Sequence, residues 1–389
     1  QDIKESRHTQ KTGDPLLNNR NENVKIYDFN LHFNKKTKIT NLTYGVGGRK
    51  QTVVSTASLS NNNLYFYNNT RYPGGGSGID DFFIFSQANF RINKKTDFLV
   101  GGRWNQSIMY AKFNSPNFNF EDLNNSNNSF IKSALLSVNP FKNTNINFAY
   151  YGGFRNPNID DVGKVFSKDD INVVVPNKDL EPEYTNNLEL SFNYTVNDFR
   201  LRLQLFNTII LNAISREYGT VEGSDSVIYD GQMMRVQMNK NIERANIKGV
   251  SLSGGGVLSK TFFIKGDFNF LTGKKEGNTP LSHIPPFNSK ITVKYETNQH
   301  LLNFYTQHNG RKPADEYDDA GVDNLIEATV DGSPSWYTLN LIYVYKYSSD
   351  LQLSFGIKNI LDAHYKTFGS GLSASGRNFL VAIHSFLNN

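Results

Sequence analysis

Cysteine is absent from the 389 residues. That excludes disulfide frameworks, zinc–thiolate sites and cysteine nucleophiles. Long apolar runs are missing too, and none approaches the roughly 18 residues that a membrane-crossing helix needs. Helical membrane proteins are therefore excluded. Barrels are not, because a strand that alternates greasy and polar residues never builds a long apolar run. Charge of one sign is also scarce: 41 Lys and Arg against 36 Asp and Glu leave a formal net charge of +5. The cations are scattered along the sequence, so no nucleic-acid patch is expected.

Aromatics are plentiful. With 29 Phe and 20 Tyr they reach 13%, while hydrophobic residues as a whole make up only 38%. That mix suits strands with one oily and one wet face and rings gathered at interfaces. Period-two alternation recurs from end to end. Leu188, Leu190, Phe192 and Tyr194 interleave with Asn187, Glu189, Ser191 and Asn193. Phe199, Leu201, Leu203 and Leu205 interleave with Arg200, Arg202 and Gln204. About fifteen strands follow, the first near 23–35 and the last near 376–388. Tight polar turns (Asn93–Thr96, Val196–Asp198 and Ser259–Lys260 among them) alternate with long segments such as 56–79, 156–183, 217–243 and 313–334. Such sorting predicts an all-β, transmembrane antiparallel up-and-down β-barrel, with short periplasmic turns and long extracellular loops. Parity sends Ile146, Phe148, Tyr150 and Phe154 to lipid and Asn147, Tyr151 and Arg155 to the lumen.

Fifteen is odd, whereas single-chain bacterial barrels have even strand numbers. An open sheet in lipid also leaves costly unpaired edges. We therefore expect residues 1–22 to be the tail of an extracellular loop and 23–389 to be the C-terminal part of the barrel. The N-terminal plug and first strands would be missing here and associated as another chain.

Several segments, in order, resemble TonB-dependent receptors, particularly the haem and iron-chelate group. They are Phe154-Arg155-Asn156-Pro157-Asn158, then Pro176-Asn177-Lys178-Asp179-Leu180-Glu181-Pro182-Glu183, then Asn241, Ala245 and Gly249. Ile284-Pro285-Pro286, Ser335-Trp336-Tyr337, Asn359-Ile360-Leu361-Asp362 with Tyr365, and Gly376-Arg377-Asn378-Phe379 complete the series. The resemblance implies a barrel of about 22 strands around a plug, of which this chain would hold the last fifteen. It also implies energy coupled through the TonB complex. Three positions depart from the family. No His stands between Arg155 and Leu180, where haem receptors of this type often carry one; Ser251 replaces a common Glu; and Leu387, Asn388 and Asn389 follow the last aromatic, Phe386.

Candidate contacts with a ligand are Tyr151, Arg155, Asp160, Asp161, Asp315 and Asp318, on one strand top and on two acidic loops that also hold Asp169, Asp170 and Asp319. Glu316, Asp318, Gly321 and Glu327 have EF-hand-like spacing, but Ala320 stands where an oxygen ligand belongs. A solvated loop is the default for such a stretch, and neither a metal nor a resident cofactor is expected. His283, before Ile284-Pro285-Pro286, reads as a loop-end fastener rather than a ligand. No nucleophile triad stands out, so the chain is not expected to be an enzyme. The function expected is uptake of a scarce ligand, an iron chelate or haem, in the outer membrane of a Gram-negative bacterium. The alternative is a barrel that transports nothing and serves as a docking platform for surface lipoproteins.

Overall fold

A computed structural model describes residues 1–10, 12–61, 63–114, 121–167, 171–229, 231–318 and 320–386. One sheet holds 20 strands. Four are short extracellular pieces, Tyr65–Tyr67, Phe166–Ser167, Asn172–Val175 and Ser226–Tyr229. The rest form an antiparallel meander in chain order: β1 (Asp2–Thr9), β2 (Leu17–Lys36), β3 (Thr40–Ser60), β4 (Ser77–Asn93), β5 (Thr96–Ala111), β6 (Leu123–Val138), β7 (Thr144–Arg155) and β8 (Glu183–Val196). Then come β9 (Phe199–Tyr218), β10 (Gln232–Val257), β11 (Phe262–Lys275), β12 (Asn288–Glu296), β13 (His300–Asn309), β14 (Trp336–Lys346), β15 (Leu351–Lys358) and β16 (Asn378–Ser385). Among the described residues no ladder joins β1 to β16.

The expected fifteen strands are β2 to β16. β1 is an addition, because residues 1–22 are not irregular. Asp2–Thr9 pairs antiparallel with Asn18–Lys25. Alternation could not reveal it. Seven of the eight residues of β1 are polar and all are exposed, and a ladder of backbone hydrogen bonds asks for no apolar face. Residues 387–389, the first two of them in the expected last strand, lie outside the described residues.

Register confirms the two faces. Tyr150 stands opposite Leu188, Phe148 opposite Leu190, and Leu190 opposite Leu205. On the other parity Asn147 faces Ser191, and Ser251 faces Asn269. Phe148, Leu190, Leu205 and Phe270 are exposed on the outer face, as lipid-contacting side chains must be. On the bore face Asn147 donates to Ser191 at 3.2 Å and Ser251 to Asn269 at 2.9 Å.

The buried apolar cores lie in the extracellular cap. One cluster joins Met109, Ala111, Leu123, Ile159, Val162 and Leu180. A second joins Val165, Val173, Val175, Tyr229, Met234 and Val236, where Asn172–Val175 lies parallel to the top of β10. Strands of up to 26 residues (β10) explain the height of the cap, since about ten tilted residues already cross a bilayer.

Candidate functional site

The top of β7 organises the cap. Asn158 caps the single helical turn α1 (Ile159–Val162) by accepting from the Asp161 backbone N–H, while the Asp161 carboxylate accepts from the Asn158 N–H. This reciprocal box satisfies two helix-end donors. Arg155 grips the arrangement from below. Its Nη1 donates to Asp161 Oδ2 at 2.6 Å and its Nε to Glu183 Oε1 at 2.5 Å. The guanidinium therefore ties the end of β7 to α1 and to the start of β8.

Asp160 points the other way. Lys164 Nζ lies 3.1 Å and Arg71 3.6 Å from its carboxylate. Burial raises the Asp160 carboxyl pKa, but Lys164, the Tyr72 hydroxyl and Arg71 outweigh it and hold the group below the ordinary carboxylate range. Burial, followed by Asp160, pushes the Tyr72 phenol up to about 12.

The loop after α1 is stapled to β10. Asn241 Oδ1 accepts from the Glu181 N–H at 2.8 Å, and Asn241 Nδ2 donates to the Glu181 carbonyl at 2.9 Å and to the Asn212 carbonyl at 2.8 Å. Asn177 donates to the Asn239 carbonyl at 2.8 Å, and Leu180 fills the first apolar cluster. The motif residues Asn177, Leu180, Glu181 and Asn241 are thus parts of one fastening.

Below this cap a cavity of about 1140 Å³ opens into the bore, lined by Arg49, Asp81, Phe83, Arg103, Arg155 and Asp160 among others. Asp28 pairs with Arg49 at 2.6 Å, and Ser107 donates to Asp81 at 2.5 Å. The Arg103 guanidinium lies 3.7 Å above the centre of the Phe83 ring, a cation–π contact. The lining therefore mixes fixed charge of both signs with an aromatic face.

Of the six candidate residues, Arg155 and Asp160 line this cavity, and Asp161 joins them through its pair with Arg155. Tyr151 is on the bore face of the same strand, four residues lower, or roughly 13 Å away. It donates to Glu189 at 3.4 Å. Asp315 and Asp318 lie on the other loop. Asp315 is exposed on a 3-10 turn (Ala314–Glu316), and the buried Asp318 accepts from the N–H groups of Ala320 and Val322 at 3.0 and 3.3 Å. Gln237 joins the two regions by donating to the Ala320 carbonyl at 3.1 Å. Arg216 lies within the field of both Asp160 and Asp318, and burial pushes its guanidinium pKa down against their pull. Of the EF-hand-like set, Glu316 pairs with Lys312 at 3.6 Å and Glu327 with Lys366 at 3.0 Å. His283 does fasten a loop end, its Nδ1 lying 2.9 Å from Asp323. Asp169, Asp170 and Asp319 lie outside the described residues. Sequence reasoning missed Arg71, Tyr72, Lys164 and Arg216. Of these, only Arg216 carried a usable signal, a cation on the bore parity of its strand.

Residues 4–360 match the family model described as TonB dependent receptor-like, beta-barrel. The chain belongs to the TonB-dependent receptors. It is a barrel wall of the Gram-negative outer membrane. A probable hemoglobin and hemoglobin-haptoglobin-binding protein of Haemophilus influenzae is 26% identical over 261 residues, which is 62% of this chain and 25% of that protein. A second hemoglobin and hemoglobin-haptoglobin-binding protein from that species is 25% identical over 253 residues, 61% of this chain and 23% of that protein. The receptor chain therefore spans about a quarter of these relatives' length. Among solved structures, the copper transporter OprC superposes with a TM-score of 0.75 at 14% identity, over 96% of this chain and 58% of its own. The hemophore receptor HasR of Serratia marcescens, solved with its hemophore and heme, gives 0.69 at 12% identity, over 95% and 60%.

Proposed function

We propose that this receptor takes up a scarce iron carrier, haem or an iron chelate, with energy delivered through the TonB complex. The cavity beneath the extracellular cap carries the reading. It is wide, opens into a polar bore and combines arginines, carboxylates and an aromatic face, which suits a large planar or multiply charged cargo. The haemoglobin-binding relatives support an iron carrier as the cargo. In this reading Arg155 and Asp160 line the cavity, Asp161 holds Arg155, Tyr151 lies below on the same strand as Arg155, and Asp315 and Asp318 belong to the second acidic loop. Among the described residues no ladder joins β1 to β16, which supports a wall completed by further strands and a plug. Cross-linking of the receptor in cells checks this: contacts from β1 and β16 to further strands and a plug are expected, and a wall closed by these residues alone refutes it.

Iron-starved cells carrying or lacking the receptor provide the functional test. Growth on haemoglobin, haem or a ferric chelate should depend on the receptor and collapse when the proton-motive force is dissipated. Equal growth of both strains on every iron source tested overturns the proposal.

A further inference from the structure

Lysines that are scattered in the sequence gather on one sector of the periplasmic rim. Lys35 and Lys36 end β2 and Lys38 lies in the turn to β3, Lys94 and Lys95 form the two-residue turn between β4 and β5, and Lys142 lies in the turn before β7. All six are exposed. The three turns are fastened edge to edge: the Arg91 N–H donates to the Ile39 carbonyl at 2.9 Å and the Asn139 N–H to the Lys95 carbonyl at 2.8 Å. Among the described residues no carboxylate pairs with any of the six lysines. Asp97, at the start of β5, faces Arg91 at 3.7 Å instead. Farther round the rim the turns carry Asp198, Lys260 and Asp350, with no such excess of cations.

The same sector is greasy on its outward side. Phe33 and Tyr44 stack at 5.6 Å on the outer face, and Phe90 and Leu136 extend that exposed outward row on the neighbouring strands. Lys35 continues the outward parity of Phe33 and lies in register with Leu42. A lysine just beyond a ring of exposed aromatics lays its stem on the oily surface and carries its ammonium to the headgroup level.

We propose that this sector binds the anionic phospholipid headgroups of the inner leaflet, the phosphates accepting hydrogen bonds from the lysine ammonium groups. Charge alone would also suit an acidic periplasmic polymer. The apolar belt decides for lipid, since the exposed outward rings of Phe33, Tyr44 and Phe90 need acyl chains beside them.

The test is native mass spectrometry of the full receptor released from nanodiscs of mixed phosphatidylglycerol and phosphatidylethanolamine. Wild type should retain phosphatidylglycerol about threefold over its share of the bilayer. The combined variant Lys35→Gln, Lys94→Gln, Lys95→Gln, Lys142→Gln should lose that enrichment, and Lys→Arg at the same four positions should keep it. Lys260→Gln, outside the sector, should change nothing. Because the Arg variant keeps the charge, it separates lost recognition from lost folding. Retention of isolated acidic muropeptides without any phosphatidylglycerol preference overturns the proposal, and so does undiminished enrichment in the Gln variant.

Discussion

At the residue scale, Arg155 is a clamp. Its two carboxylate partners are each only 17% exposed, so truncation leaves both under-satisfied. Arg155→Ala should destabilise the docking of α1 by about 2 kcal/mol, giving roughly 30-fold faster amide exchange at Asn158–Val162. Unchanged exchange would show that the clamp holds nothing. The cap should also have a pH window. Asp160 has a lowered pKa in the folded cap, so its stabilisation is present at neutral pH and is lost as the pH falls through that lowered value. Tyr72 is raised to about 12, so its stabilisation is intact below the ordinary tyrosine range and is lost as the pH rises toward 12. Since the chain lacks cysteine, a single fluorophore on Asp179→Cys reports loop mobility. Its anisotropy should drop as the pH falls below the ordinary carboxylate range, and Asp160→Asn should weaken the change. A late phenolate step in an alkaline titration should vanish in Tyr72→Phe.

At the element scale, close strand contact is bought with glycine. A Cβ on Gly249 would sit 2.3 Å from Cζ of Phe206 and 3.0 Å from the Phe270 carbonyl oxygen. Gly249→Ala should therefore cost about 1–3 kcal/mol, read as a lower temperature of heat-induced unfolding in detergent. Phe206→Leu in the same chain should restore most of it, because the ring, not the backbone, is the nearest obstacle. The strands themselves were legible where the alternation was apolar, as in β8 and β9. β1 was hidden because its exposed polar residues carry no such signal. β10 begins twelve residues before the expected 244, because Gln232–Glu243 rises above the bilayer, where burial against the cap replaces lipid as the organiser. Arg155, Asp160 and Asp161 could be linked in the sequence by nearness alone. Arg71 reaches the same place from a distant loop, which no local pattern records, and Arg216 from the top of β9, where its bore parity was the one local sign.

At the scale of the whole molecule, two-residue periodicity divides oil from water, and the division can be tested by neighbours of opposite parity. Leu205 faces lipid and Gln204 faces the bore opposite Ser191 and Ser251. Leu205→Arg should cost about 2–4 kcal/mol in refolding into vesicles, whereas Gln204→Arg should cost little. Equal penalties would mean that the two faces are not distinguished. The rim lysines show the converse limit. Their spacing in the chain suggests dispersion, and only the meander, by setting three turns side by side, concentrates them.

The long hairpin of β9 and β10 has one irregular point. Asn212 adopts a φ of 52°, and the register passes from Leu211 opposite Arg244 to Ala213 opposite Ile242. Above it lies the cap; below it lies the part held by the bilayer. Mechanical compliance is therefore concentrated in a single elbow, and the Glu181–Asn241 exchange is the splint across it. A tug at the outer tip bends the arm there first, and the membrane-embedded staves feel it only after the splint gives.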